Sequence, residues 1–246
     1  MAIHDFNSQR LFVEAPLMPG TRIPATGEQA NYLLNVLRLG VGATLLIFNG
    51  RDGEWLARLA EVTKRGCQLV LESRVRAQET GPDIDYVFAP LKRSRLDYMV
   101  QKAAEMGVAR LRPVLTRRTI AERVNTERMR ANAIEAAEQC GILRVPEVAE
   151  PVKLERLLAT WDMARALVFC DEVAPVANPI AALSALAPGP LGVLVGPEGG
   201  FAPEERQMLL SKCYALPISL GPRIMRADTA AIAALALVNA VVGDWR

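Results

Sequence analysis

The chain of 246 residues contains a single histidine, His4. That scarcity nearly removes Ser-His-Asp and Cys-His hydrolysis, H-E-x-x-H metalloenzymes and other imidazole-ligated metals. The four cysteines, Cys67, Cys140, Cys170 and Cys213, stand far apart and form no C-x-x-C pair. Reduced thiols are therefore expected rather than disulfides or a zinc site, and no metal is implied. No apolar run reaches membrane-spanning length without charge, and no N-terminal stretch has the layout of a secretory signal. The expectation is a soluble, cytoplasmic protein with no membrane partner. Neither G-x-G-x-x-G after a strand nor G-x-x-x-x-G-K-S/T occurs. An ordinary dinucleotide fold and a phosphate loop are thereby disfavoured.

What is present is ordinary in amount but uneven in place. Apolar residues make up 51% and charged residues 23% of the chain, enough for one large core or two small ones. The net charge of +2 hides an asymmetry: between Lys92 and Arg130 eleven Lys/Arg stand against four Asp/Glu. Such a stretch suggests a surface that faces a polyanion. Solvated helix faces with scattered arginines are the alternative.

Residues 1–76 read as a small β-rich domain, a barrel in outline. Leu11–Glu14, Ala43–Phe48, Glu54–Leu59 and Cys67–Glu72 have the composition of short strands. Asn49-Gly50-Arg51-Asp52-Gly53 is a hairpin signal, since Asn and Gly tolerate positive φ. One helix, Glu28–Leu39, carries Tyr32, Leu33, Val36 and Leu37 on one face, with Gly40 as its expected cap. The polar, Gly-Pro-containing stretch Gln78–Asp83 marks the boundary. Residues 77–246 then alternate. Strands are expected at Tyr86–Leu91, Arg112–Thr116, Leu167–Cys170, Leu191–Val195 and Ala215–Leu220. Helices fall between them: one capped by Ser94 and ending at Gly107, another over Thr126–Cys140 closed by Gly141. Continuous apolar strands joined by helices predict an α/β domain with a mostly parallel sheet covered on both faces. The final helix, Thr229–Val242, is apolar nearly all round and must be buried in the core or against a second subunit.

Two glycine-anchored turns carry the chemistry. Gly196-Pro197-Glu198-Gly199-Gly200 follows an apolar strand and runs into a helix that opens with Pro203, Glu204 and Glu205. Three glycines in five positions allow backbone to approach a ligand at a strand end, where open α/β sheets bind ligands. The second turn, Leu220-Gly221-Pro222-Arg223-Ile224-Met225-Arg226, precedes Asp228 and Thr229. Asp228 reads most simply as a helix N-cap. Arg226 is suited to steer an anionic base or phosphate, with an ion pair to Asp228 as the structural alternative.

These turns, with Tyr32–Leu39, Pro90–Asp97, Gln101–Gly107 and Glu135–Gly141, closely resemble the RsmE family of SPOUT-class RNA methyltransferases over almost the whole chain. The family pattern departs at Asn31, Ile142 and Ala202, where His, Arg and Ser or Thr are usual. The resemblance implies a PUA-like RNA-binding β-barrel followed by a trefoil-knotted SPOUT domain. It implies a homodimer that uses S-adenosylmethionine to methylate N3 of a uridine in 16S ribosomal RNA, within the small ribosomal subunit. Cofactor binding would fall to backbone around Leu194, Gly196, Gly199, Gly200, Leu220, Gly221, Ile224 and Met225. Arg226, Asp228 and Glu198 are the catalytic candidates: Asp228 or Glu198 as base, Arg226 as stabiliser of the uridine anion. Arg10, Arg38, Lys92, Arg93, Arg95, Arg117 and Arg118 are the expected RNA contacts. A methyltransferase acting at another RNA position, a non-catalytic ribosome-assembly factor and a small-molecule enzyme are the competing readings.

Overall fold

The computed structural model describes residues 8–63, 66–121, 123–174 and 178–245, apart from the side chain of Arg93, so His4 lies outside the described residues. The chain divides into two compact units. One holds residues up to Thr80 together with Ala137–Arg144; the other holds Gly81–Ala136 and the chain from Val145 onward. Nothing in the sequence pattern announces the return of Ala137–Arg144 to the first unit.

In the first unit, β1 (Arg10–Phe12), β2 (Arg22–Pro24), β3 (Thr44–Phe48), β4 (Glu54–Thr63) and β5 (Gly66–Arg76) form a sheet in the order β1-β3-β4-β5-β2. Only β1 and β3 run parallel. The three-residue β2 escaped the sequence reading because it is short and ends in Pro24. The β3–β4 hairpin turns where expected. Asn49 Oδ1 accepts the amides of Arg51 and Asp52 at 3.0 and 2.9 Å, and Gly50 and Gly53 take φ of +80° and +84°. Leu33, Leu45, Ile47, Leu59 and Leu69 fill the core.

Helix α1 (Gly27–Asn31) opens on a capping box between Thr26 and Gln29 and continues as a π-helical turn, Tyr32–Val36. It does not end at Gly40. Arg38 takes the left-handed conformation, φ +55°, and the Leu39 amide reaches back to the Leu33 carbonyl at 2.9 Å. Leu37 and Leu39 both pack on the core, so burial sets the reversal at the residue between them. Arg10 also departs from expectation. It is buried, and its Nε donates to Glu54 Oε1 at 2.8 Å. An arginine so enclosed is a structural cation of the sheet and not a phosphate contact.

The second unit contains, in order, β6 (Ile84–Phe88), α2 (Arg93–Glu105), β7 (Arg110–Leu115), α3 (Thr126–Cys140), β8 (Glu147–Val148) and β9 (Val152–Lys153). There follow α4 (Leu154–Ala159), β10 (Ala166–Cys170), α5 (Pro179–Ser184), β11 (Leu191–Val195), α6 (Pro203–Leu210), β12 (Ala215–Ile218) and α7 (Ala227–Val241). Every strand pair is parallel, in the order β12-β10-β11-β6-β7, with β8 and β9 both on β7. Strand β11 is buried throughout, while β12 lies at the edge and is half-exposed, a position compatible with Pro217. Lys92, not Ser94, occupies the N-cap of α2 and makes no side-chain cap. Gly107 and Gly141 take positive φ after α2 and α3, as expected.

Helices cover both faces. Met99, Ala103, Met129, Ala133, Leu183, Ala234 and Leu235, from α2, α3, α5 and α7, pack on one. Leu157, Leu158, Trp161 and Leu209 pack on the other, with α4 and α6. Gly192 is required where Trp161 crosses β11, since a Cβ there would lie 2.6 Å from the indole.

At the N-terminal edge of the sheet sits a wholly buried carboxylate, Asp85. Arg110 Nε meets its Oδ1 at 2.5 Å, Arg112 Nη1 its Oδ2 at 2.9 Å, and Arg165 Nη1 its Oδ1 at 3.4 Å. Arg165 also donates to the Leu191 carbonyl and pairs with Asp83, whose carboxyl it holds below the usual range. Removing Asp85 takes the carboxylate from Arg112 and leaves Arg110 and Arg165 with Asp83 alone. Asp85→Ala is expected to cost about 3–5 kcal/mol, the range for breaking a buried ion pair from one side. Urea unfolding checks this, and a loss below about 1 kcal/mol would show that the arginines reach water without it.

Candidate functional site

The chain leaves β10 for α5 on one face of the sheet and leaves β11 for α6 on the other. Such a divergence opens a crevice at the carboxyl ends of parallel strands. A cavity of about 500 Å³ lies there, lined by residues that include Cys170, Glu172, Gly196–Glu198, Gly200, Phe201, Leu220–Ala227 and Ala230. The two glycine turns thus enclose one space.

Each turn is locally determined. In the first, the Gly200 amide returns to the Pro197 carbonyl at 2.9 Å and Gly200 takes φ +68°. Arg118 donates to the Gly199 carbonyl at 2.6 Å. Ala202 provides no side-chain cap for α6. Glu205, 1% exposed, makes the reciprocal half of a capping box: its carboxylate accepts the amides of Ala202 at 2.9 Å and Arg117 at 2.8 Å. The bond that a hydroxyl at position 202 would accept from the first turn of α6 is absent, while the return bond from the Ala202 amide to Glu205 is kept. In the second turn Gly221 takes φ +107° with open space beside it, so its conformation, not crowding, demands glycine.

Of the residues singled out from sequence, Gly196, Gly200, Leu220, Gly221, Ile224 and Met225 line the cavity, as do Glu198 and Arg226. Leu194 does not, because strand alternation turns it to the opposite face beside Phe169 and Leu209. Gly199 is turned outward, its carbonyl held by Arg118. Asp228 is neither the N-cap of α7 nor part of the lining: Arg226 holds the cap position, and Asp228 Oδ1 accepts the Thr229 amide at 2.9 Å. Sequence reading missed Glu172, which follows β10. Its carboxylate lies 3.5 Å from where a Cβ on Gly200 would stand. An acid directly after an apolar strand was the available signal.

The basic stretch is less bare than its composition implies. Arg110 and Arg112 serve Asp83 and Asp85, Arg128 pairs with Asp97, and Lys102 with Glu105. Arg95 binds Glu198 at the cavity rim and Arg117 binds Glu204. Acids from elsewhere in the chain therefore absorb much of the excess. Lys92 remains exposed, as does Arg38 in the first unit. Arg93 falls outside the described side chains.

A chain with this cavity matches a family model described as an RNA methyltransferase domain over residues 78–239. Residues 25–72 match one described as an RNA methyltransferase PUA domain. A parallel α/β unit of this kind, with a PUA unit before it, defines the class: RNA methyltransferases. Among curated relatives, ribosomal RNA small subunit methyltransferase E of Rickettsia conorii is 31% identical over 232 residues, 94% of each chain. The protein of that name from Synechocystis is 30% identical over 238 residues, 95% of this chain and 78% of that one. A Legionella pneumophila methyltransferase, solved in complex with bound cofactor SAM, is 28% identical with a TM-score of 0.84, covering 97% of this chain and 99% of that one. The chain belongs to the ribosomal RNA small subunit methyltransferase E family.

Cys170 lines the cavity, yet burial, with Glu172 adding to it, pushes its thiol up to about 12. At pH 8 roughly one molecule in ten thousand then carries the thiolate that reacts. Iodoacetamide at that pH is expected to label exposed Cys140 and Cys213 and to spare Cys170 and buried Cys67. Peptide mapping reads the result, and labelling of Cys170 as fast as Cys213 would contradict this account of the cavity wall.

Proposed function

We propose that the protein transfers the methyl group of S-adenosylmethionine to N3 of a uridine in 16S ribosomal RNA of the small subunit. One observation carries the reading: two glycine turns close a single cavity whose wall includes Arg226. The relatives' names supply the RNA class, and the Legionella neighbour supplies the cofactor by analogy.

The residues present fit that cofactor. The room beside Gly221 and the bare backbone of both turns suit a flat adenine, and Ile224, 93% exposed, gives it an apolar cover. Glu172 suits ribose hydroxyls or a cationic centre. When bound, the cofactor supplies an activated methyl group. Position and charge are left to the chain. Uridine N3 must lose its proton for the methyl to bond there, the cofactor's sulfur departs as a neutral thioether, and the negative charge that develops on the base needs a partner. Arg226, a guanidinium cation at the N-terminus of α7, fills that role. Its place in the lining supports Glu198 as acceptor of the N3 proton, and Asp228, outside the lining, is the weaker candidate. The target base must be unpaired and splayed outward, because pairing occupies N3.

The same reading takes the protein as a cytoplasmic homodimer. Ala230, Ala231, Ala234, Leu235 and Val238 of α7 are buried within the chain. Ile232, Ala233, Ala236 and Leu237 form a second, half-exposed stripe at helical spacing. A partner's apolar surface would cover that stripe. Ile232→Glu, at a stripe residue not packed on the chain's own core, is expected to shift sedimentation from dimer to monomer; an unchanged dimer would place the contact elsewhere.

For the reaction, methyl-labelled cofactor and unmethylated small subunits are incubated with the protein, and the RNA is digested to nucleosides. Label is expected in 3-methyluridine; label in another nucleoside would keep the class and remove the N3 assignment. Arg226→Ala is expected to lower turnover about 10²- to 10³-fold, the usual effect of losing one charge-stabilising donor. Asp228→Asn is expected to stay near wild type. Loss of turnover in Asp228→Asn, with cofactor affinity intact, would restore Asp228 as the base.

A further inference from the structure

We infer that a second cleft, beside the N-terminal turn of α2, takes one splayed nucleotide of the RNA strand, its base on an apolar floor and its phosphate between Lys92 and Arg123. The inference rests on the reading of the substrate as RNA and assigns it a surface. The cleft measures about 810 Å³, larger than the cavity between the glycine turns, and among the described residues none of its lining belongs to that cavity. Both lie in the second unit.

Its floor is made by Leu91, Leu96 and Met129, all buried, and Ile120 stands at its lining 63% exposed. Together with the floor, Ile120 gives the lining an apolar side chain against which a flat base can pack. The charges favour an anion beside it. Among the described residues Asp97 is the single carboxylate in the lining, and it is saturated: Arg128 binds it in fork fashion at 2.9 and 2.7 Å and Asn132 donates at 2.8 Å. That pair is neutral as a unit. Lys92 and Arg123 add two positive charges. Ser94 and Asn125 also line the space and offer a hydroxyl and an amide to a base edge. An apolar platform, cations at its border and a few neutral hydrogen-bonding groups are what single-stranded nucleic acid sites combine.

Position supports the same occupant. Ser94 lines this cleft and Arg95, the next residue of α2, lines the cavity with the glycine turns. Consecutive residues of one helical turn point about 100° apart. The two spaces therefore flank one helix end. A strand whose target base enters the first has a neighbouring nucleotide within reach of the second.

The test uses the full chain and decauridylate carrying 4-thiouridine at alternate positions. Irradiation is expected to attach the RNA to the peptide containing Ile120 and Arg123. Arg123→Glu and Ile120→Glu are each expected to weaken decauridylate binding about tenfold or more and to lose that cross-link. The slope of log affinity against log salt should flatten by about 0.7 in Arg123→Glu, as for one lost phosphate contact to a single strand. Binding of S-adenosylmethionine, read by calorimetry, should be unchanged in both variants. Cross-links confined to other peptides, or unaltered RNA affinity in both variants, would overturn the inference. So would a shift of Ile120→Glu from dimer to monomer with RNA affinity intact, which would make the cleft a subunit contact. Failure of the cofactor to bind even the unaltered protein would count against the methyltransferase reading instead, and leaves the RNA measurement to decide this one.

Discussion

Four strands of the second unit are tied at one end by a single carboxylate. Asp85 on β6 holds Arg110 and Arg112 on β7 and Arg165 just before β10, while Arg165 reaches the carbonyl that opens β11. A buried carboxylate is costly unless its lone pairs are filled, so the three guanidiniums have little freedom to slide. Trp161 fixes the arrangement from the side, stacking under the Arg112 guanidinium with 5.2 Å between guanidinium carbon and ring centre and donating to the Arg165 carbonyl at 2.8 Å. With register set at the N-terminal edge, the carboxyl ends of β10 and β11 are set too. Those ends carry Glu172 and the first glycine turn, and the second turn follows β12, which pairs with β10. The chemistry at one edge of the sheet depends on an ion cluster at the other.

The same economy of charge governs the surface. Composition showed a basic block, and a polyanion partner was the natural reading. In the fold, acids distant in sequence come to meet it: Asp83 and Asp85 from β6 and the residues before it, Glu198 and Glu204 from around the first glycine turn. Net charge by segment is thus a poor guide to which cations face outward. The arginines that remain available are fewer and more localised than a count implies, which sharpens where an RNA phosphate can be held.

Legibility followed range of interaction. Strands β10 and β11 were readable because residues buried on both faces leave unbroken apolar runs. The hairpin at Asn49–Gly53 was readable because its hydrogen bonds are made by its own residues. The misreadings are cases where a distant contact decided. Arg38, not Gly40, reverses the chain because Leu37 and Leu39 must both reach the core. Arg10 is buried because Glu54 waits beside it, 44 residues away. Ala202 does lack a side-chain cap, and what its sequence did not show is that Glu205 also takes the Arg117 amide, 88 residues away. In the site, the glycines were found by their backbone demands, whereas the place of Glu172 and the opposite face taken by Leu194 depend on strand phase and pairing.

The division of labour at the N-terminus of α2 follows from helical geometry. Arg95 faces the glycine turns and is engaged by Glu198, so the rim of the cavity is clamped by a pair that joins two elements 103 residues apart. One residue earlier, Ser94 faces the second cleft with Lys92 beside it. A helix end that carries Lys92 at its cap position, with no side-chain cap of its own, presents donors and positive charge. Placed between two cavities, that end can bind the backbone of a strand while bases are directed to either side. The carboxylates near it are occupied by arginines, Glu198 by Arg95 and Asp97 by Arg128, so neither repels a phosphate as a free charge would. The ion pairs that seemed to consume the basic stretch therefore also clear its path for an anion.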